Sequence, residues 1–172
     1  MKKLTLRQLC ILGMLVALTI VFGFFATWRI GASIKISLKF SSVYVAAVLF
    51  GPIIGGIVGM ASDIASFIAN PAAGFIPLIT VAEFAIGAVY GLFFKNVEFS
   101  KPHLPRVFLC CAFQALVLDM LVKTFAISYS FGTGFAAMLM QRLPVGINFV
   151  IQFAVIAVLN IYMEKFKKIC YR

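Results

Sequence analysis

The chain has 172 residues, of which 63% are hydrophobic and only 12% charged; its mean hydropathy is +1.10 and its formal net charge +10. This balance excludes an ordinary soluble domain and predicts one compact integral membrane unit spanning residues 1–172. The positive charge does not point to nucleic acid, because the basic residues form no long solvated arm. They gather at the N-terminus (Lys2, Lys3, Arg7), in a central linker (Lys95, Lys101, Arg106) and at the C-terminus (Lys165, Lys167, Lys168, Arg172). The positive-inside rule places such clusters in the cytoplasm.

The first predicted span covers residues 8–26. Its basic start and apolar run resemble a signal peptide, but the run from Leu9 to Ala26 exceeds a typical signal core. No small-x-small cleavage site follows, so a retained helix is expected. Gly13 and Ala17, with Val21 next on the stripe, form a small-residue face suited to helix docking. Residues 27–37, TWRIGASIKIS, read as an outer polar connection with Trp28 at the membrane boundary and Arg29 and Lys35 beyond it.

A shorter second span runs from about Leu38 to Phe50, with Lys39 at its outer end, and Gly51-Pro52 turns the chain straight into a third. Here Gly51, Gly55, Gly59, Asp63 and Phe67 recur every fourth residue, along one slowly drifting helical stripe. Small residues at that spacing let helices approach closely in a bilayer, and a carboxylate on the same stripe faces protein rather than lipid. After NPAAGFIP, an outer loop, residues 77–94 form a fourth span with Glu83, Gly87 and Gly91. The linker KNVEFSKPHLPR lies inside. Residues 107–127 form a fifth span, whose Asp119 and Lys123 sit four apart and can pair. SYSFGTG is an outer loop, and the last span occupies residues 135–163, with Arg142 and Pro144 near its start. Pro144 marks the beginning of the regular helix, leaving the preceding residues as a re-entrant cap.

The expected fold is therefore an all-α integral membrane protein, a six-transmembrane-helix bundle with both termini cytoplasmic. Ten basic residues fall on inner segments against Arg29 and Lys35 outside. Lys39, Asp63, Glu83, Asp119, Lys123 and Arg142 then all lie in the outer half of a roughly 30 Å core. This one-sidedness favours a pocket open to the outside over an ion pathway through the full thickness. Each charge has two readings. Asp63 with Lys39 or Arg142, and Asp119 with Lys123, can simply neutralise one another; alternatively Arg29, Asp63 and Arg142 contact a ligand.

Enzyme chemistry is not expected. The chain has no HExxH, GxSxG or P-loop, and hence no catalytic residues or nucleotide site. Cys10, Cys110, Cys111, Cys170 and His103 lack metal-ligand spacing, so neither metal nor cofactor is expected. A stand-alone channel or facilitator remains the alternative class.

The stretches IKISLKF, LFGPIIGGIVGMASDIASFI and AIGAVYGLFF, together with six short spans, resemble the substrate-binding S component of an energy-coupling factor (ECF) vitamin transporter. Ile34 to Asp63 is most similar to the folate-transporter branch, as is QRLP at 141–144. The segment NPAAGFIPLITVAEF departs from that branch, keeping Thr80 and gaining Glu83. The resemblance implies a prokaryotic plasma-membrane subunit that binds a vitamin from outside. It also implies docking onto a membrane coupling subunit and two ATPases, which alone use ATP, and toppling to release cargo. Gly13 and Ala17 match the position of the family's docking motif. For folate or a related pterin, Asp63 or Glu83 can accept the ring's adjacent N–H donors. Arg29, Lys35, Lys39 or Arg142 can neutralise its glutamate carboxylates, and Trp28, Phe67 and Phe75 can stack on the ring. A different vitamin or a nucleobase-like cargo is the alternative within the class.

Overall fold

The structure, a computed structural model, describes residues 5–25, 27–30, 34–69, 75–94, 103–142 and 146–171; for residues 24, 27–30, 34–37, 69, 141, 142, 146, 147, 168, 169 and 171 it describes the backbone alone. Helix α1 (Leu6–Phe25) leads into a β-hairpin of β1 (Thr27–Ile30) and β2 (Ile34–Ser37). Then come α2 (Lys39–Phe50), α3 (Pro52–Ala69) and α4 (Pro77–Phe94). A long span follows in three parts: α5 (Leu104–Phe113), a π-helical segment (Gln114–Val122) and α6 (Lys123–Phe131). Helices α7 (Phe135–Arg142) and α8 (Gly146–Tyr171) complete the chain.

Four of the described helical stretches are long and apolar enough to cross a membrane: Leu6–Gly23, Pro77–Phe94, Leu104–Phe131 and Asn148–Lys167. Lys39–Phe50 and Pro52–Ile68 are shorter apolar helices. The molecule is thus an all-α membrane bundle, apart from the hairpin in the segment expected to be an irregular connection. The alternation in Thr27–Ser37 was too short to separate a hairpin from a loop by pattern alone. The expected last span is described as two helices, α7 and α8, and Pro144, the expected start of the regular helix, lies between them outside the described residues.

Helix α2 is the hub. It packs on α1, α3, α4 and α8, and nine of its twelve residues are buried. A helix surrounded on all sides is apolar all round, which is why KFSSVYVAAVLF shows little amphipathic pattern. Its Tyr44 ring stands edge-on to Tyr90 and Phe94 of α4, with centroids 5.5 and 5.3 Å apart. The α2–α3 turn uses glycine for a backbone reason. Gly51 has φ +96°, and its N–H closes α2 on the Ala47 carbonyl at 2.9 Å. Pro52 then opens α3, where its missing N–H costs nothing.

Helices α3 and α4 approach antiparallel and backbone to backbone. A Cβ on Gly87 would run into the Gly55 carbonyl, one on Gly91 into Pro52, and one on Gly59 would sit 2.5 Å from the Glu83 carbonyl oxygen. The small-residue stripe therefore packs within this chain. Gly87→Val should lower the thermal midpoint of the purified protein in detergent by several degrees, in line with overpacking costs of about 1–3 kcal/mol. Gly13→Ala, where no neighbour lies within 4 Å, should leave it nearly unchanged.

Candidate functional site

The start of α2, the end of α3, the start of α4 and the start of α6 share one end of the bundle, beside the hairpin. Five charged side chains gather there. Lys39 Nζ lies 3.0 Å from Glu83 Oε1, and Lys123 Nζ lies 3.0 Å from the same oxygen. Lys123 also donates to Asp119 Oδ1 at 2.7 Å. The result is a chain of alternating charge, Lys39–Glu83–Lys123–Asp119, tying α2, α4, the π-helical segment and α6 together. It carries no net charge. A buried carboxylate such as Glu83, with a side chain only 8% exposed, is tolerated in an apolar interior because two ammonium groups hold it.

Asp63 stands apart from this chain. Its Oδ2 accepts the Thr80 hydroxyl at 2.8 Å, and its side chain is only partly buried. The four-residue spacing from Gly59 places Asp63 on the face that meets α4, one turn beyond the closest contact. Nearby, the Phe67 and Phe75 rings are tilted by 51° with centroids 5.2 Å apart, and Phe75 is 47% exposed. In the hairpin, Arg29 is the direct register partner of Lys35, and Trp28 that of Ile36. The side chains of Trp28, Arg29, Lys35 and Arg142 lie outside the described residues.

Of the residues singled out from sequence, Lys39, Asp63, Phe67, Phe75 and Glu83 therefore converge on one end, and Asp119 and Lys123 pair as their spacing suggests. Lys39 pairs with Glu83 rather than Asp63. That choice was not legible in the sequence, because both acids sit one or two turns from a loop and no spacing rule operates between helices. Gly13 and Ala17 lie elsewhere, on the exposed face of α1. The charge chain gives a direct test. Glu83→Gln would leave two buried ammonium groups facing a single carboxylate, and should destabilise the protein by about 3–5 kcal/mol, read as a lowered thermal midpoint. Asp63→Asn, which keeps the Thr80 hydrogen bond, should change that midpoint little.

Comparison with known proteins adds a lineage to this geometry. The folate transporter FolT of Clostridium novyi (strain NT) is 26% identical over 110 residues, which make up 64% of this chain and 62% of that protein. A crystal structure of FolT bound with folic acid superimposes with a TM-score of 0.72 at 25% identity, covering 92% of this chain and 91% of that one. The biotin S component of an ECF-type ABC transporter shares the fold equally well, with a TM-score of 0.72 over 92% and 91% of the two chains at 18% identity. A protein-family model described as "ECF-type riboflavin transporter, S component" matches residues 3–165. Nearly the whole chain being covered by that match, the protein belongs to this family of ECF transporter S components and is a transport subunit rather than an enzyme.

Proposed function

We propose that this S component captures folate or a related pterin from outside the cell and hands it to an ATP-driven coupling complex. In this reading it crosses the plasma membrane six times with both termini in the cytoplasm, and its paired-charge end faces outward. The observation that carries the cargo assignment is Asp63. Among the described residues, every other acid at that end is neutralised by lysine, whereas Asp63 accepts the Thr80 hydroxyl and no lysine. A carboxylate in that state can take the paired N–H donors of a pterin ring through charge-assisted bonds. The similarity to folic-acid-bound FolT over 92% of the chain supports the same ligand.

The cation partners follow from the same arithmetic. Lys39 and Lys123 are already committed to Glu83, so carboxylates on the cargo's tail would depend chiefly on Arg29, Lys35 and Arg142. Two cations in direct cross-strand register repel one another, and an anion beside the hairpin relieves that repulsion. Phe67 and Phe75, with Trp28, would supply aromatic faces for the ring. Glu83 serves the pocket by fixing Lys39 and Lys123. A second reading, riboflavin, is favoured by the family description alone.

For the partner complex, α1 is the proposed docking element. Gly13, Ala17 and Val21 all lie on its exposed side, and Gly13 has open space before it. Small residues there admit a partner helix at close range. The coupling subunit would bind this face, and its two associated ATPases would use the ATP.

Titration of the purified protein with a vitamin panel, followed by Trp28 fluorescence and by calorimetry, tests the cargo. One-site saturable binding of folate is the expected result; binding of riboflavin instead would support the second reading. No binding by either method, combined with uptake into liposomes holding this chain alone, would replace both with a facilitator. Asp63→Asn should weaken folate binding at least tenfold, the scale of a lost charge-assisted hydrogen bond of about 1.5–3 kcal/mol. Ala17→Trp should abolish co-purification with the coupling subunit while leaving folate affinity within about twofold, since the ring would project from the outer face of α1.

A further inference from the structure

Serine and threonine hydroxyls inside helices commonly bond back to a carbonyl of their own helix. Thr19, Ser62, Ser66 and Ser130 all do so, to Leu15, Gly59, Ser62 and Ala126, at 2.6–2.8 Å. Thr80 does not. Its hydroxyl, in the first turn of α4, crosses to α3 and donates to Asp63 Oδ2 at 2.8 Å. The Thr80 side chain is 5% exposed, whereas Asp63 is only partly buried. The donor is thus enclosed in protein, while the carboxylate it holds retains accessible surface. A hydroxyl gains more from an ionised acceptor than from a neutral carbonyl, which accounts for its leaving its own helix.

We propose that Thr80 is a positioning residue for cargo capture: it aims the Asp63 carboxylate at the pterin ring without touching the ring itself. This rests on the reading of Asp63 as the acid that accepts the ring's paired N–H donors. Two parallel hydrogen bonds demand that the acceptor lie in one plane at a set orientation. A partly exposed Asp turns easily about χ2, because that torsion is broad. One bond to Oδ2 restrains the turning, and takes one of the about four acceptor sites that a carboxylate offers. The donor is itself held in place. Branching at Cβ stiffens Thr χ1, and α4 is locked against α3 where Gly59 meets the Glu83 carbonyl, a turn away from both Asp63 and Thr80. Ordering the carboxylate before cargo arrives removes that ordering cost from binding.

Folate calorimetry on Thr80→Val, Thr80→Ser, Asp63→Ala and the Thr80→Val/Asp63→Ala double variant reads the role, with size-exclusion profiles confirming folded protein. Thr80→Val keeps the shape and removes the donor; it should weaken folate binding about five- to tenfold, and Thr80→Ser should stay within about twofold of the wild type. Thr80→Ala supplies the same reading with less bulk. On the Asp63→Ala background, Thr80→Val should change affinity by less than about twofold, because the group it acts through is gone. A lowered thermal midpoint in Thr80→Val with unchanged folate affinity would overturn the proposal, leaving the bond a tie between helices. Equal losses with and without Asp63 would overturn it too, since Thr80 would then meet the cargo directly. Folate affinity unchanged in Asp63→Ala would instead remove the reading of Asp63, and this proposal with it.

Discussion

Contact between the backbones of α3 and α4 is the constraint on which the remaining arrangement rests. With no side chains between them along Gly55, Gly59, Gly87 and Gly91, the two helices lock in one antiparallel register. In that register Asp63 meets Thr80, and Glu83 lies level with the start of α2. A lipid environment offers little hydrophobic incentive for helices to associate, so dispersion across a close interface becomes the main source of cohesion. The same closeness fixes the polar groups beyond the last glycine to within a rotamer. Precision at the charged end is thus inherited from packing in the middle.

A second theme is electrical balance. Burying four formal charges is acceptable because they alternate in sign and share acceptors, so the interior carries no field from an unpaired ion. What this leaves over is informative. At that end Asp63 is the described acid that the alternating chain does not neutralise, and the hairpin carries two cations in mutual register. The proposed amphoteric cargo, with donors at one end and carboxylates at the other, would complement both leftovers at once. Among flat vitamins, that polarity separates a pterin glutamate from a neutral ring.

Much of the bundle was legible from residues alone. The fourth span was read at 77–94 and is α4, while Gly51-Pro52 marked the α2–α3 hairpin because few residues other than glycine adopt its φ. The stripe from Gly51 to Asp63 foretold both a tight interface and a carboxylate turned toward protein. Other features were not written locally. The β-hairpin is four residues a side, too short for its alternation to stand out against an irregular loop. The π-helical segment has no compositional mark in QALVLDMLV. The choice of Glu83 over Asp63 as the partner of Lys39 depends on helix packing, which no single-helix periodicity encodes.

The brevity of α2 has an architectural consequence. At twelve residues it is about 18 Å long, against the roughly 30 Å needed to cross the hydrocarbon core. The central post of the bundle therefore falls short of a full crossing by some two helical turns. Lys39 stands at the hairpin end of this short helix, directly after β2. Lengthening α2 by one turn before Lys39 would carry its ammonium group about 5.4 Å away from Glu83, so the shortness of this helix is what lets the charge chain close.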